Sequence, residues 1–210
     1  MKNEIDFNHT GTFYTLGNPK AKNILVVLHG YGQLASYFIE KFKLVDQDQF
    51  FIVAPEGLHH FYLNGTNGRV GASWMTKEQR ETDIKNYIKF LDVILGAVMA
   101  EHKFDKKYLL GFSQGGATAS RYMILGKIKF DSFLLWAAVF PKDMENAIEG
   151  NFQHSKNFFI VGSADEYYKA EDIEKLTQSM ITNHFPIEFV KFEGNHTIDS
   201  ETLNQILNEN

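Results

Sequence analysis

Short apolar runs recur along this chain without polar alternation, at Ile24 to Leu28, Phe50 to Ala54, Tyr108 to Leu110, Phe133 to Ala138 and Phe158 to Val161. A strand in a half-solvated antiparallel sheet would alternate apolar and polar positions. Continuous apolar runs are what a parallel sheet covered on both faces demands. Thr12 to Leu16 and Ile187 to Phe192 are more mixed, the second carrying Glu188 and Lys191, and read as edge or near-edge strands. Between the runs the period changes to that of a helix. Ile84, Ile88, Leu91, Leu95 and Val98 fall at spacings of four and three, and Thr76 with Gln79 three residues on forms a capping-box pattern at the expected start. Further helices are expected near Ala35 to Lys43, Gln114 to Leu125, Ala170 to Asn183 and Asp199 to Asn208. Strands and helices thus alternate. The economical architecture is α/β: one doubly wound, mostly parallel sheet of about seven strands with helices on both faces, formed as a single domain over residues 1–210. In such sheets, chemistry gathers at the carboxyl ends of the strands.

Composition narrows the function. With 44% hydrophobic residues the chain can bury a real core. Its net charge of −5, with Lys and Arg spread singly, argues against a nucleic-acid surface. There is no cysteine, which removes disulfides, thiolate metal sites and a cysteine nucleophile, and suits the cytoplasm. Met1 to Phe7 lacks the apolar core of a signal peptide, and no apolar run approaches the ~20 residues of a membrane span.

Candidate chemistry follows the predicted strands. Gly111-Phe112-Ser113-Gln114-Gly115 comes directly after Tyr108 to Leu110 and opens a run of small residues. A serine between two flanking glycines at a strand-to-helix turn is the pattern of a nucleophile elbow, in which the hydroxyl is held out from the sheet edge. Asp165 follows Phe158 to Val161, and His196 follows Ile187 to Phe192. A serine hydroxyl needs a neutral imidazole to take its proton, and that imidazole needs a buried carboxylate to fix its tautomer and stabilise its charged form. Ser113, His196 and Asp165 are therefore expected to form a catalytic triad. Glu166 is the alternative acid, although its longer side chain, one residue further on, should point elsewhere. His29-Gly30-Tyr31-Gly32 follows Ile24 to Leu28, and its glycines let backbone amides turn toward a developing oxyanion. The expected donors are the amides of Tyr31 and Gln114, and His29 is expected to be structural.

Taken together, the chain resembles the α/β-hydrolase superfamily over nearly its whole length. Within it, the sequence is similar to the phospholipase/carboxylesterase family, which includes acyl-protein thioesterases. The residues that carry this resemblance are His29-Gly30-Tyr31-Gly32, Gly71-Ala72-Ser73-Trp74 and Gly111-Phe112-Ser113-Gln114-Gly115-Gly116. It implies a serine hydrolase acting on carboxylic esters or thioesters of a small molecule or lipid, without cofactor or metal, and makes the Trp74 region a wall of the substrate pocket. Tyr31 stands where that family usually has Leu, Gln33 where it often has Asp, and Glu166-Tyr167-Tyr168 replaces its usual continuation after the acid. The competing classes are a non-catalytic ligand-binding protein on the same scaffold and an acyltransferase.

Other residues have plainer readings. His59-His60 invites a metal, but adjacent histidines on a loop diverge and no carboxylate cluster is evident beside them in sequence. Most of the aromatic residues belong to the core. Trp74, Tyr31 and Phe140 are the candidates for lining a substrate groove, with Phe61, Tyr62 and Met75 behind them. The glycine-rich stretch from Leu58 to Met75 reads as a long, mobile flap over the site.

Overall fold

Strand β2 (Asn23–Leu28) is buried on both faces: Ile24, Val26 and Leu28 enter one apolar cluster, Leu25 and Val27 the other. That is why its sequence shows no alternation. The same holds for β3 (Phe50–Pro55), β6 (Lys106–Phe112), β7 (Ser132–Trp136) and β8 (Lys156–Gly162). With β1 (Phe13–Leu16) and β9 (Glu188–Phe192) at the edges, they form a seven-stranded sheet in the order β1-β3-β2-β6-β7-β8-β9. Only β1 runs antiparallel to its neighbour. The computed structural model describes residues 1, 3–148, 152–168, 170–182 and 184–209.

Helices α2 (Arg80–Glu101) and α3 (Gln114–Leu125) cover one face, where Tyr87, Leu91 and Tyr122 pack on Val26, Val53 and Leu109. Helix α4 (Ala170–Thr182) joins them through Met180. The short α1 (Ala35–Phe38) and α5 (Ser200–Asn208) cover the other, through Phe38, Leu203 and Ile206. Asp199 caps α5, accepting the Thr202 N–H at 2.8 Å.

Three local expectations give way. Helix α2 begins at Arg80, four residues after Thr76, because the Thr76 N–H is taken by Asp83 Oδ2 at 2.9 Å and residues 76–79 fold as an extended and turn segment instead of a capping box. The helix expected from Ala35 to Lys43 is one α-turn followed by a 3₁₀ turn over Ile39–Phe42. His59 and His60, expected on a loop, stand on a strand of the stretch from Leu58 to Met75. That stretch holds a β-hairpin, β4 (His59–Asn64) paired antiparallel with β5 (Asn67–Ser73), turning through Gly65 at φ 63°. β4 is largely exposed despite Phe61 to Leu63, and β5 is buried only at Gly71 to Ser73, so neither shows the long buried apolar run that marks the main sheet. The expected helix over 170–183 is seen to Thr182, Asn183 lying outside the described residues.

Candidate active site

The turn from β6 into α3 is tight enough to forbid side chains at its flanks. A Cβ on Gly115 would sit 2.2 Å from the Leu28 carbonyl oxygen, and one on Gly111 would sit 2.5 Å from the Gly115 carbonyl oxygen. Between them Ser113 takes φ 54° and ψ −120°, a region that costs a non-glycine residue on the order of 1–3 kcal/mol. The surroundings hold it there: its N–H donates to the Trp136 carbonyl at 3.0 Å, and its carbonyl accepts the Gly116 N–H at 2.9 Å. The serine is half-buried at the carboxyl end of the sheet.

The loops after β8 and β9 are stitched together. Ser163 N–H donates to Phe192 O and Ala164 N–H to Gly194 O, both at 2.8 Å. This brings Asp165, only 4% exposed, against His196, whose Nδ1 lies 2.8 Å from Asp165 Oδ2. The other carboxylate oxygen accepts the Tyr167 N–H at 3.0 Å. With its proton directed to Asp165, the imidazole keeps Nε2 as a free lone pair. Its ring lies between Phe112, 4.8 Å away between centroids, and Tyr167 at 4.6 Å. Glu166, the alternative acid, is exposed. Among the described residues no hydrogen bond joins the Ser113 hydroxyl to His196. Contact between the elbow and the imidazole runs through the Phe112 ring.

Opposite, the His29 to Gly32 loop is fixed by its own histidine. Gly57 N–H donates to His29 Nε2 at 2.9 Å, so the proton sits on Nδ1, which donates to the Gly30 carbonyl at 2.7 Å. Burial disfavours the charged form and pushes this imidazole down to about 4, against a weaker upward pull from the Gly30 carbonyl. His29 is thus a neutral structural element. Gly30 N–H donates to Gln33 Oε1 at 2.9 Å, and Gly32 N–H to Ala72 O of the hairpin at 2.9 Å. The Tyr31 amide has no acceptor among the described hydrogen bonds, and the Gln114 amide, first in α3, has none within its helix.

Two of the residues expected to line the pocket lie elsewhere. Trp74 is fully buried: its ring packs tilted against His29 at 5.0 Å and meets Tyr87 edge-on, and its indole N–H donates to the His29 carbonyl at 2.8 Å. Phe140 is 5% exposed and packs on Phe152 and Phe185 in the core. Their large apolar rings satisfy the interior, which position after a strand does not reveal. Tyr31 is 62% exposed and stacks on Phe61 of the hairpin at 5.0 Å.

Sequence reasoning missed the side chain of Gln114. Its Nε2 donates to Ser73 Oγ at 3.0 Å and Met75 O at 3.1 Å, and its Oε1 accepts the Trp74 N–H at 3.1 Å. The elbow helix is thereby tied to the end of β5. It also missed the carboxylate partners of the paired histidines: His59 lies 3.1 Å from buried Asp83, and His60 2.9 Å from buried Glu56. These pairs diverge to opposite sides of β4, and among the described residues no group of three or more metal-ligating side chains forms. Spacings of 24 and 4 residues carry no sequence pattern that would have announced them.

Residues 19–205 match the family model described as Serine hydrolase (FSH1), and the chain belongs to that family. Similar solved structures include esterase PE8, with 20% identity, a TM-score of 0.69 and coverage of 96% of this chain and 99% of that one. Acyl-protein thioesterase 2 of Zea mays has 14% identity, a TM-score of 0.72 and coverage of 95% and 97%. A phospholipase/carboxylesterase from Dyadobacter fermentans has 18% identity, a TM-score of 0.66 and coverage of 97% of each chain. At these identities the likeness establishes the α/β-hydrolase fold. No curated protein sequence matches. Among the described residues no helix is long and apolar enough to cross a membrane.

Proposed function

We propose that this serine hydrolase cleaves carboxylic esters or thioesters of small molecules or lipids through an acyl-enzyme on Ser113. His196 Nε2 takes the hydroxyl proton as Oγ attacks the carbonyl carbon. Asp165 keeps the imidazole in the Nδ1–H tautomer and stabilises the cation that forms. The amides of Tyr31 and Gln114 receive the oxyanion, a donor of this kind contributing roughly 2.7–4 kcal/mol in the transition state. The tetrahedral intermediate collapses as His196 passes its proton to the leaving oxygen or sulfur. Water, deprotonated by the same imidazole, then releases the acid and restores Ser113.

The observation that carries this reading is the 2.8 Å bond between His196 and buried Asp165, on loops stitched beside a serine held at φ 54°. An ordinary turn serine needs no such strain, and an ordinary loop histidine needs no buried carboxylate behind it. The names of the structural neighbours, esterase and acyl-protein thioesterase, point to the same bond class. The test is hydrolysis of p-nitrophenyl butyrate: the native chain should turn it over and Ser113→Ala should not, with unchanged circular dichroism. Activity retained in Ser113→Ala would remove this mechanism.

A further inference from the structure

Beside the oxyanion loop lies a groove of about 270 Å³ between α1 and the hairpin. Leu34, Phe38 and Val70 make its apolar floor, and Gln33 closes the end toward Gly30. Behind the floor the rings are core: buried Phe38 stacks on buried Phe112 at 5.8 Å, and Phe112 packs tilted against His196 at 4.8 Å, so the ring that floors the groove rests on the ring that backs the imidazole. The rim is cationic. Lys41 and Arg69 both line the groove, both are exposed, and among the described residues neither has an ion-pair partner. Lys41 Nζ donates to Thr197 Oγ1 at 3.3 Å, one residue from His196.

The neighbouring carboxylates are spoken for. Glu40 pairs with Lys43, and Glu56 is buried, accepting from the Ala35 amide at 2.9 Å and meeting His60 at 2.9 Å. Two unpaired cations over an apolar floor, on a chain of net charge −5, make a local positive field that the molecule as a whole does not have. A guanidinium fork and an ammonium together match a carboxylate or phosphate.

We propose that this groove receives the leaving-group half of the substrate and that this half carries an anionic group, a carboxylate or phosphate, held by Lys41 and Arg69. The inference rests on the ester-hydrolase reading. It assigns the leaving group to this side because the imidazole must deliver its proton there, and Lys41 is bonded to the residue following that imidazole.

The test compares three butyrate-sized esters: one neutral, one with a carboxylate on the alcohol half, and one with a carboxylate on the acyl half. The quantity read is the ratio of kcat/KM for each charged ester over the neutral one, so that any loss common to all substrates cancels. Lys41→Gln with Arg69→Gln should lower the ratio for the alcohol-charged ester roughly three- to ten-fold and leave the acyl-charged ratio unmoved. Arg69→Glu alone should lower it too, and 0.5 M salt should compress the native preference. A neutral ester cleaved normally with an alcohol-charged ratio unmoved by these changes overturns the groove and leaves the hydrolase reading standing, as does a shift confined to the acyl-charged ester. Failure to cleave any of the three overturns both.

Discussion

The indole N–H of Trp74 donates to the His29 carbonyl at 2.8 Å, while the backbone N–H of the same residue donates to the Gln114 side chain at 3.1 Å. One buried residue thus braces the two chain segments whose amides we assign to the oxyanion. Trp74→Phe keeps most of the ring but leaves the His29 carbonyl without its donor, at a cost of about 1–3 kcal/mol in urea unfolding. If the brace sets the donor spacing, kcat falls several-fold while KM changes little. A fall in stability with kcat intact would make Trp74 a packing residue only.

Gly115 is the second rigid point. Its position against two backbone carbonyls, Leu28 O at 2.2 Å and His29 O at 2.6 Å from a notional Cβ, leaves no flexible side chain to yield. Gly115→Ala should force β2 and α3 apart, costing about 1–3 kcal/mol as overpacking does and more if the strand cannot shift. Thermal unfolding measures this. A variant as stable as the native chain would contradict the close approach.

His29 makes stability depend on pH. Folding lowers its affinity for a proton, from the ordinary 6.5 to about 4, so as the medium is acidified the unfolded chain is protonated first. The contribution of neutral His29 is complete above about pH 6.5, declines by up to ~1.4 kcal/mol per pH unit between 6.5 and 4, and is gone below about 4, ~3 kcal/mol in all. Urea midpoints across pH 4–7 for the native chain and His29→Gln should differ in slope over this window, the variant being flatter. Parallel slopes would contradict a buried neutral imidazole.

Asp165 accepts from His196 and from the Tyr167 amide while almost fully buried. Asp165→Asn keeps the shape but offers a donor where an acceptor stood, favouring the wrong imidazole tautomer. By analogy with the serine-protease triad, kcat should fall about 10⁴-fold with KM little changed. A fall of less than ten-fold would assign the acid elsewhere.

The main sheet was legible because double burial writes itself as uninterrupted apolar runs, and the helix from Gln114 to Leu125 because small residues follow the elbow. The positions of Ser113, Asp165 and His196 after their strands were legible for the same reason. The hairpin over residues 59–73 was not, since His59 to Asn64 is largely exposed and its short apolar stretch, Phe61 to Leu63, is bounded by His59, His60 and Asn64, while the contacts that dock it, Gln33 and Gly32 on Ala72, lie far off in sequence. The role of Trp74 was equally hidden. A tryptophan after a strand reads the same whether its ring faces substrate or, as here, lies beneath the loop it supports.

The central claim is that Ser113 is an activated nucleophile, and covalent capture tests it most directly. Incubation with a fluorophosphonate should add one adduct per chain by intact mass, mapped by peptide sequencing to Ser113, with labelling slowed at least a hundred-fold in His196→Ala and absent in Ser113→Ala. An unlabelled native chain, or an adduct on another residue, would contradict the account.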